Sequence, residues 1–271
     1  MHPIVAENAR LLDLCRCEIL GFPIDFIDYH TAFEIIQGWR ASKDRQFIVI
    51  ATPHDVQLSR DSELRAASIQ AGLNLPDGVG VVVAARLLGY RTSGRVTGAE
   101  LMLRVCDWGR KYGYRHYFYG STEDVVRKLE ERLTQQYAGL KIVGSYCPPF
   151  RALTPREDEA VVRHINSCQP DILWVGLGAP KQQLWMADHL GRIAAPVMIG
   201  VGAAFNFHSG VVKWAPLWMR RLGMEWIYRT IVEPRKIVPR ARHTFLFGVR
   251  VVVQAVAWRF ARLGGLRGSC R

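Results

Sequence analysis

An α/β fold with a parallel sheet covered on both faces is what this 271-residue sequence predicts, on two observations. Short, wholly apolar, β-rich runs recur along the chain, and stretches of helical periodicity with clear start signals stand between them. Residues 47–50 (FIVI), 117–119 with their flanks, 141–144, 172–175 (ILWV) and 197–199 read as buried strands. Residues 123–136 and 155–168 read as helices. Thr154-Pro155-Arg156-Glu157 is a capping box with proline at the first helical position. Ser121-Thr122-Glu123-Asp124 is a looser version with Asp where Glu is usual, and Cys147-Pro148-Pro149-Phe150 is a rigid turn between a strand and a helix. Ligands on such sheets bind where strand carboxyl ends lead into helices, so the strand exits are where chemistry is expected.

Hydrophobic residues make up 49% and charged residues 22% of the chain, ordinary for a folded protein of one large or two small domains. The net charge of +12 is unevenly spread. Residues 211–271 hold 13 Lys/Arg against 2 Asp/Glu, and four of the eight tryptophans (Trp214, Trp218, Trp226 and Trp258), whereas residues 1–210 are nearly neutral. A compositional boundary therefore falls near residue 210. A basic, Trp-rich segment suits an anionic membrane surface, nucleic acid, or a merely solvated basic face, and composition leaves these open. The six cysteines (Cys15, Cys17, Cys106, Cys147, Cys168 and Cys270) form no CxxC pair and no zinc-like spacing with histidine, which predicts buried thiols in a reducing compartment. The N-terminus lacks a continuous apolar h-region, so no signal peptide is expected. The nearest approach to a membrane-spanning run, residues 244–263, is broken by Arg250, Gln254, Arg259 and Arg262, which suits a helix lying on a membrane better than one crossing it.

Four segments carry polar or glycine-rich chemistry at predicted strand exits. After FIVI come Thr52, His54 and Asp55 around Pro53. They suit ligand contact, and equally a helix start with Thr52 as cap. Asp77 follows an apolar run and precedes Gly78-x-Gly80, either as an N-cap or as a carboxylate facing a cleft. The glycine pair is similar to a dinucleotide loop but lacks its third glycine. Residues 174–183 run from a strand through Gly176-x-Gly178 into a helix, past Pro180, Lys181 and Gln182. That arrangement aims backbone N–H groups at an anion, or is simply a tight connection. Residues 199–210 again follow a strand with small residues, among them Gly202, and carry Asn206 and His208. The chain has no Asp-x-Asp, HExxH, GxSxG or Walker lysine loop.

Taken together, PDGVGVVVAARLLG (76–89), RVTGAELM (95–102), PDILWVGLGAPKQQLW (170–185), IGVGAAFNFHSG (199–210) and KWAPLWMRRLGMEWIYRTIVEP (213–234) resemble the WecG/TagA/CpsF family of bacterial glycosyltransferases, from about residue 20 to 242. The resemblance implies a two-part, Rossmann-like α/β core over residues 1–210, with parts of roughly 1–112 and 113–210. It also implies a largely helical appendage over 211–271 that meets the membrane and helps complete the active site. It implies inverting, metal-independent and cofactor-free transfer of a hexose or N-acetylhexosamine from a UDP-sugar to a polyprenyl-diphosphate-linked glycan, in surface-polysaccharide assembly. The enzyme would work on the anionic inner face of the cell membrane, with self-association into a homo-oligomer left open.

Carried onto this chain, the resemblance makes Asp77 the base. It puts Thr52, His54, Gly176, Gly178, Pro180, Lys181, Gln182, Gly202 and Asn206 on the nucleotide sugar, and Arg229, Arg235, Lys236 and Arg240 on the acceptor diphosphate. The chain departs from the family pattern in having His54 for Asn, Gln183 for Glu and Asn206 for Asp, which points to a branch with its own substrate. Two other readings remain: an inactive scaffold that binds membrane and partners, which would tolerate loss of Asp77, and a nucleic-acid-binding protein, which leaves Asp77 and the glycine turns without a role.

Overall fold

A computed structural model describes residues 16–263, with the side chains of Lys236, Arg240 and 261–263 excepted. Cys15 and Cys270 lie outside the described residues. The centre is one six-stranded, all-parallel sheet in the order β4-β3-β8-β7-β5-β6. Its strands are β3 (Gln46–Ala51), β4 (Leu73–Pro76), β5 (Arg115–Gly120), β6 (Lys141–Tyr146), β7 (Ile172–Gly176) and β8 (Val197–Gly200). The two stretches expected as separate parts, 1–112 and 113–210, thus contribute β3–β4 and β5–β8 to a single sheet.

The apolar runs read as strands because both faces are buried and neither needs a polar alternation. Ile48, Ile50, Leu73, Leu75, Phe118 and Trp174 pack into one core, and Phe47, Val49, Tyr117, Tyr119, Leu173 and Val175 into the other. The first face is covered by α1 (Tyr29–Ser42), α5 (Gly98–Gly109) and α6 (Glu123–Gln136), whose Val125, Val126, Leu129 and Leu133 form one buried stripe. The second is covered by α2 (Pro53–Leu58), α4 (Val79–Leu87), α7 (Pro155–Ser167) and α8 (Lys181–His189), with α3 (Ser62–Gln70) packed against α8.

Local signals set the helix starts. Thr154 and Glu157 complete both halves of the capping box. The looser box at α6 does not close: Thr122 is the N-cap, but its side chain makes no cap hydrogen bond. With Thr122 rather than Ser121 as the cap, the third helical position falls on Val125, which has no carboxylate to reach back.

A hairpin that the sequence does not announce, β1 (Arg16–Ile19) with β2 (Phe22–Asp25), guards the β4 edge. Asp25 is fully buried there, accepting from Arg16 Nε at 2.6 Å and from the Asn74 backbone N–H at 2.7 Å. A carboxylate on an edge amide occupies a donor that could otherwise template another strand.

Beyond β8 the chain is helical: α9 (Ala204–His208), α10 (Leu217–Arg221), α11 (Glu225–Val232) and α12 (Pro234–Leu263). Helix α12 lays Phe247, Val251 and Ala255, one residue per turn, on α2 and α4. Leu20 N–H donates to Gln254 Oε1 at 3.0 Å, and Trp258 lies so close to Gly89 that a Cβ there would meet its ring at 2.8 Å. The opposite side of the tail helices exposes Trp218, Leu222, Trp226, Ile231, Phe245, Val249, Val253 and Phe260. No helix among the described residues is long and apolar enough to cross a membrane.

Candidate functional site

The carboxyl ends of the strands open into a cavity of about 570 Å³. In sheet order its lining passes from Asp77 after β4 to Thr52 and His54 after β3, then Gly200–Ala203 after β8 and Gly176–Ala179 after β7. It continues to Ser121 and Thr122 after β5 and ends on Phe150 beyond β6. Helix α11 closes one side with Glu225 and Arg229, four residues apart and therefore on one face, and with Glu233 at its C-terminal cap. A groove of about 650 Å³ between α1 and the end of α5, lined by His30, Phe33, Trp108 and Tyr112, is reached by no strand exit.

Asp77 is not a helix cap; Gly78 is the N-cap of α4, and Asp77 stands one residue earlier. Its backbone N–H donates to Ala51 O at 3.0 Å, continuing the β3–β4 ladder past the last strand residue. The exits of β3 and β4 are so close that a Cβ on Gly78 would sit 2.5 Å from Pro53 Cδ, so a side chain there would push them apart. Burial among protein atoms, with Glu225 second, raises the Asp77 pKa from its ordinary 3.8 to about 7, against the pull of Arg95 and Arg229. Asp77 is half-buried where it lines the cavity, and the protein atoms around the carboxyl leave its ionised form poorly solvated. A carboxyl poised near neutrality at the end of a cleft is suited to taking a proton.

At the β3 exit the two readings of Thr52 combine. Its hydroxyl caps α2 while the residue lines the cavity, and Asp55 Oδ2 accepts from the Thr52 N–H at 2.8 Å, completing the box. Asp55 Oδ1 accepts from Gln183 Nε2 at 2.8 Å, both residues being buried. The amide at 183 therefore supplies a donor to a buried carboxylate, which Glu could do only when protonated. His54 faces the cavity from the same turn, and its Nδ1 lies 3.1 Å from Nδ1 of His243 on α12.

The glycine turn after β7 is partly self-satisfied. Gly178 N–H donates to Gln182 Oε1 at 3.1 Å, which leaves the Gln182 Nε2 donors directed toward Gly200 and Gly202. Gly176, Gly178, Gln182, Gly202 and Asn206 line the cavity; Pro180 and Lys181 do not, and Lys181 is exposed. Of the tail residues, Arg229 lines it. The Arg229 guanidinium lies 3.7 Å from Glu233 and 5.4 Å from the Phe207 ring centroid, and its Nε has no hydrogen-bond partner among the described residues. Arg235 is exposed outside the cavity, and the side chains of Lys236 and Arg240 lie outside the described residues.

Sequence reasoning did not single out Arg95 or Glu225. Arg95 leaves the loop after α4 and donates to Arg220 O, tying that loop to α10 while its charge acts on Asp77. Both residues lay inside stretches quoted for the resemblance, but no local pattern marks them, because only folding brings the tail over the β4 exit.

The model of the glycosyl transferase WecG/TagA/CpsF family matches residues 17–261. In Staphylococcus aureus (strain NCTC 8325 / PS 47) a protein named N-acetylglucosaminyldiphosphoundecaprenol N-acetyl-beta-D-mannosaminyltransferase is 30% identical over 228 residues, covering 82% of this chain and 87% of the relative. A protein of the same name in Bacillus subtilis (strain 168) is 33% identical over 160 residues, covering 59% of this chain and 60% of the relative. The match to the family model spans both the sheet and the tail that closes the cavity, and the chain belongs to the WecG/TagA/CpsF family of glycosyl transferases.

Proposed function

We propose that the chain is an inverting glycosyltransferase that moves a sugar from a UDP-sugar to a polyprenyl-diphosphate-linked glycan at the inner face of the cell membrane. The observation that carries this reading is Asp77: a carboxyl with a pKa near 7 in a cavity formed by the strand exits and closed by α11. The names of the relatives, which specify an N-acetylglucosaminyl-diphosphoundecaprenol acceptor and N-acetylmannosamine transfer, support the acceptor class and put N-acetylmannosamine among the donor sugars to test.

In the proposed reaction the ionised Asp77 accepts the proton of the acceptor hydroxyl as that oxygen attacks the anomeric carbon. The bond from that carbon to the UDP oxygen breaks on the opposite side, and UDP leaves with the bonding electrons. One displacement inverts the anomeric centre and needs no second carboxylate as nucleophile. The charge that grows on the departing diphosphate falls to the Gln182 amide, the backbone of the Gly176–Gly178 and Gly200–Gly202 turns, and Arg229. The exposed apolar and basic side of α10–α12 is read as the surface that meets the bilayer holding the acceptor.

The test is UDP release by the full chain from a panel of UDP-sugars, with a polyprenyl-diphosphate-linked acceptor in detergent and EDTA, and Asp77→Asn as control. Acceptor-dependent release from one donor, reduced at least a thousandfold in the variant, is expected. Equal release by the variant would remove Asp77 as the base.

A further inference from the structure

The β5–β6 end of the cavity is lined by Ser121, Thr122 and Phe150. Resting on the nucleotide-sugar reading of this site, we propose that Phe150, with the hydroxyls of Ser121 and Thr122, is the nucleobase end of the donor subsite, the Phe150 ring stacking on the pyrimidine.

Order along the cavity is the first support. Neighbouring strands lie about 4.8 Å apart, so the Gly200–Gly202 turn after β8 is roughly 10 Å from Asp77, and the Ser121 end is roughly 10 Å further on. A donor with its anomeric carbon near Asp77 and its diphosphate over the glycine turns then points its nucleoside at Ser121, Thr122 and Phe150.

Charge is the second. The far end is a poor site for phosphate: the lining there, Ser121, Thr122, Val125 and Phe150, holds no Lys or Arg, and Glu123 stands beside it in the first turn of α6, with Asp124 paired to Arg127 and Lys128. A neutral base tolerates these carboxylates where an anion would not. The side chains of Ser121 and Thr122 make no hydrogen bond among the described residues, and Thr122 leaves its helix uncapped, so two hydroxyls are available to a base edge or a ribose. Ser121 also holds φ +64, a costly conformation for a residue with a Cβ, and costs of this kind collect at binding sites.

The third is Phe150 itself. It lines the cavity yet is 96% exposed, the most exposed large apolar side chain among the described residues. Pro148 and Pro149 fix the chain that carries it, so the ring has little backbone freedom to lose on binding. A flat heteroaromatic ring covers such a face well, and stacking tolerates whichever edge the hydroxyls read. Helix α11 enters at the opposite, Asp77 end, which separates Phe150 from the apolar side of the tail.

The experiment is calorimetric titration of the full chain with UDP and, separately, with inorganic pyrophosphate, using wild type, Phe150→Ala and Phe150→Trp. Loss of stacking in Phe150→Ala is expected to weaken UDP roughly tenfold and leave pyrophosphate unchanged, with Phe150→Trp restoring UDP affinity. Unchanged UDP affinity in Phe150→Ala, or an equal loss for pyrophosphate, would overturn the assignment. Failure of wild type to bind UDP would instead strike the donor reading of the whole cavity, and this assignment with it.

Discussion

Gln183 of α8 donates its side-chain amide to Asp55 of α2 across 2.8 Å in the interior, joining the β7 exit to the capping box at the β3 exit. Two walls of the cavity are thereby held by one hydrogen bond between buried polar groups. Gln183→Leu keeps the volume and removes the donor, leaving a buried carboxylate short of a partner. The expected loss of stability is about 1–3 kcal/mol, read as a lower urea midpoint with unchanged slope. An unchanged midpoint would show that Asp55 does not depend on this bond.

Asp77 exchanges stability for proton affinity. With a folded-state pKa near 7 against an ordinary 3.8, the folded chain retains a proton between those values that the unfolded chain has lost. Its contribution to stability is therefore complete below about pH 4 and declines as pH rises through 7. Asparagine carries no such charge. Asp77→Asn is expected to be more stable than wild type at pH 8, by at most roughly 4 kcal/mol, with the difference gone at pH 4. Thermal or urea denaturation at both values measures it; a variant less stable than wild type at pH 8 would contradict the burial of an ionised carboxylate.

Glu225 reaches the same carboxyl from the tail and disfavours its charge, while Arg95 opposes it. Glu225→Gln removes the like charge, so the acid limb of the pH–rate profile should move to lower pH. Arg95→Gln should move it up. A limb unmoved by either change would mean that another group sets it.

The exposed side of the tail helices carries Trp226 and Phe260, 64% and 70% exposed among the described residues. Replacing both with Ser should reduce partition onto anionic vesicles at least tenfold, since each buried aromatic side chain contributes about 1.5–3 kcal/mol. The thermal midpoint should stay within about 1 °C, because surface changes of this kind seldom alter the fold. Undiminished vesicle binding would shift the role to the basic residues or dismiss the membrane surface.

What could be read from the chain was whatever is decided within one turn or one strand. The apolar run FIVI and the run ILWV announced strands buried on both faces, and Thr154 to Glu157 announced a helix start, because the partners of each lie within a few residues. The same locality misled at Thr122, where the pattern of a box is present and the bond is not. Hairpin β1–β2 went unread because its anchor, Asp25 on the Asn74 amide, is a contact 49 residues apart.

The site divides along the same line. By itself the sequence determined that Asp77 follows an apolar run and the other glycine turns follow strands, that the tail is basic and Trp-rich, and that the motifs resemble one family. Only the tertiary structure decided that all six strand exits share one cavity, that Glu225 and Arg95 act on Asp77, and that Lys181 faces outward. The physical reason is the range of the forces involved. Backbone hydrogen bonding and side-chain periodicity act between near neighbours in sequence, whereas desolvation and the Coulomb interaction depend on distance in space, which the chain acquires only on folding.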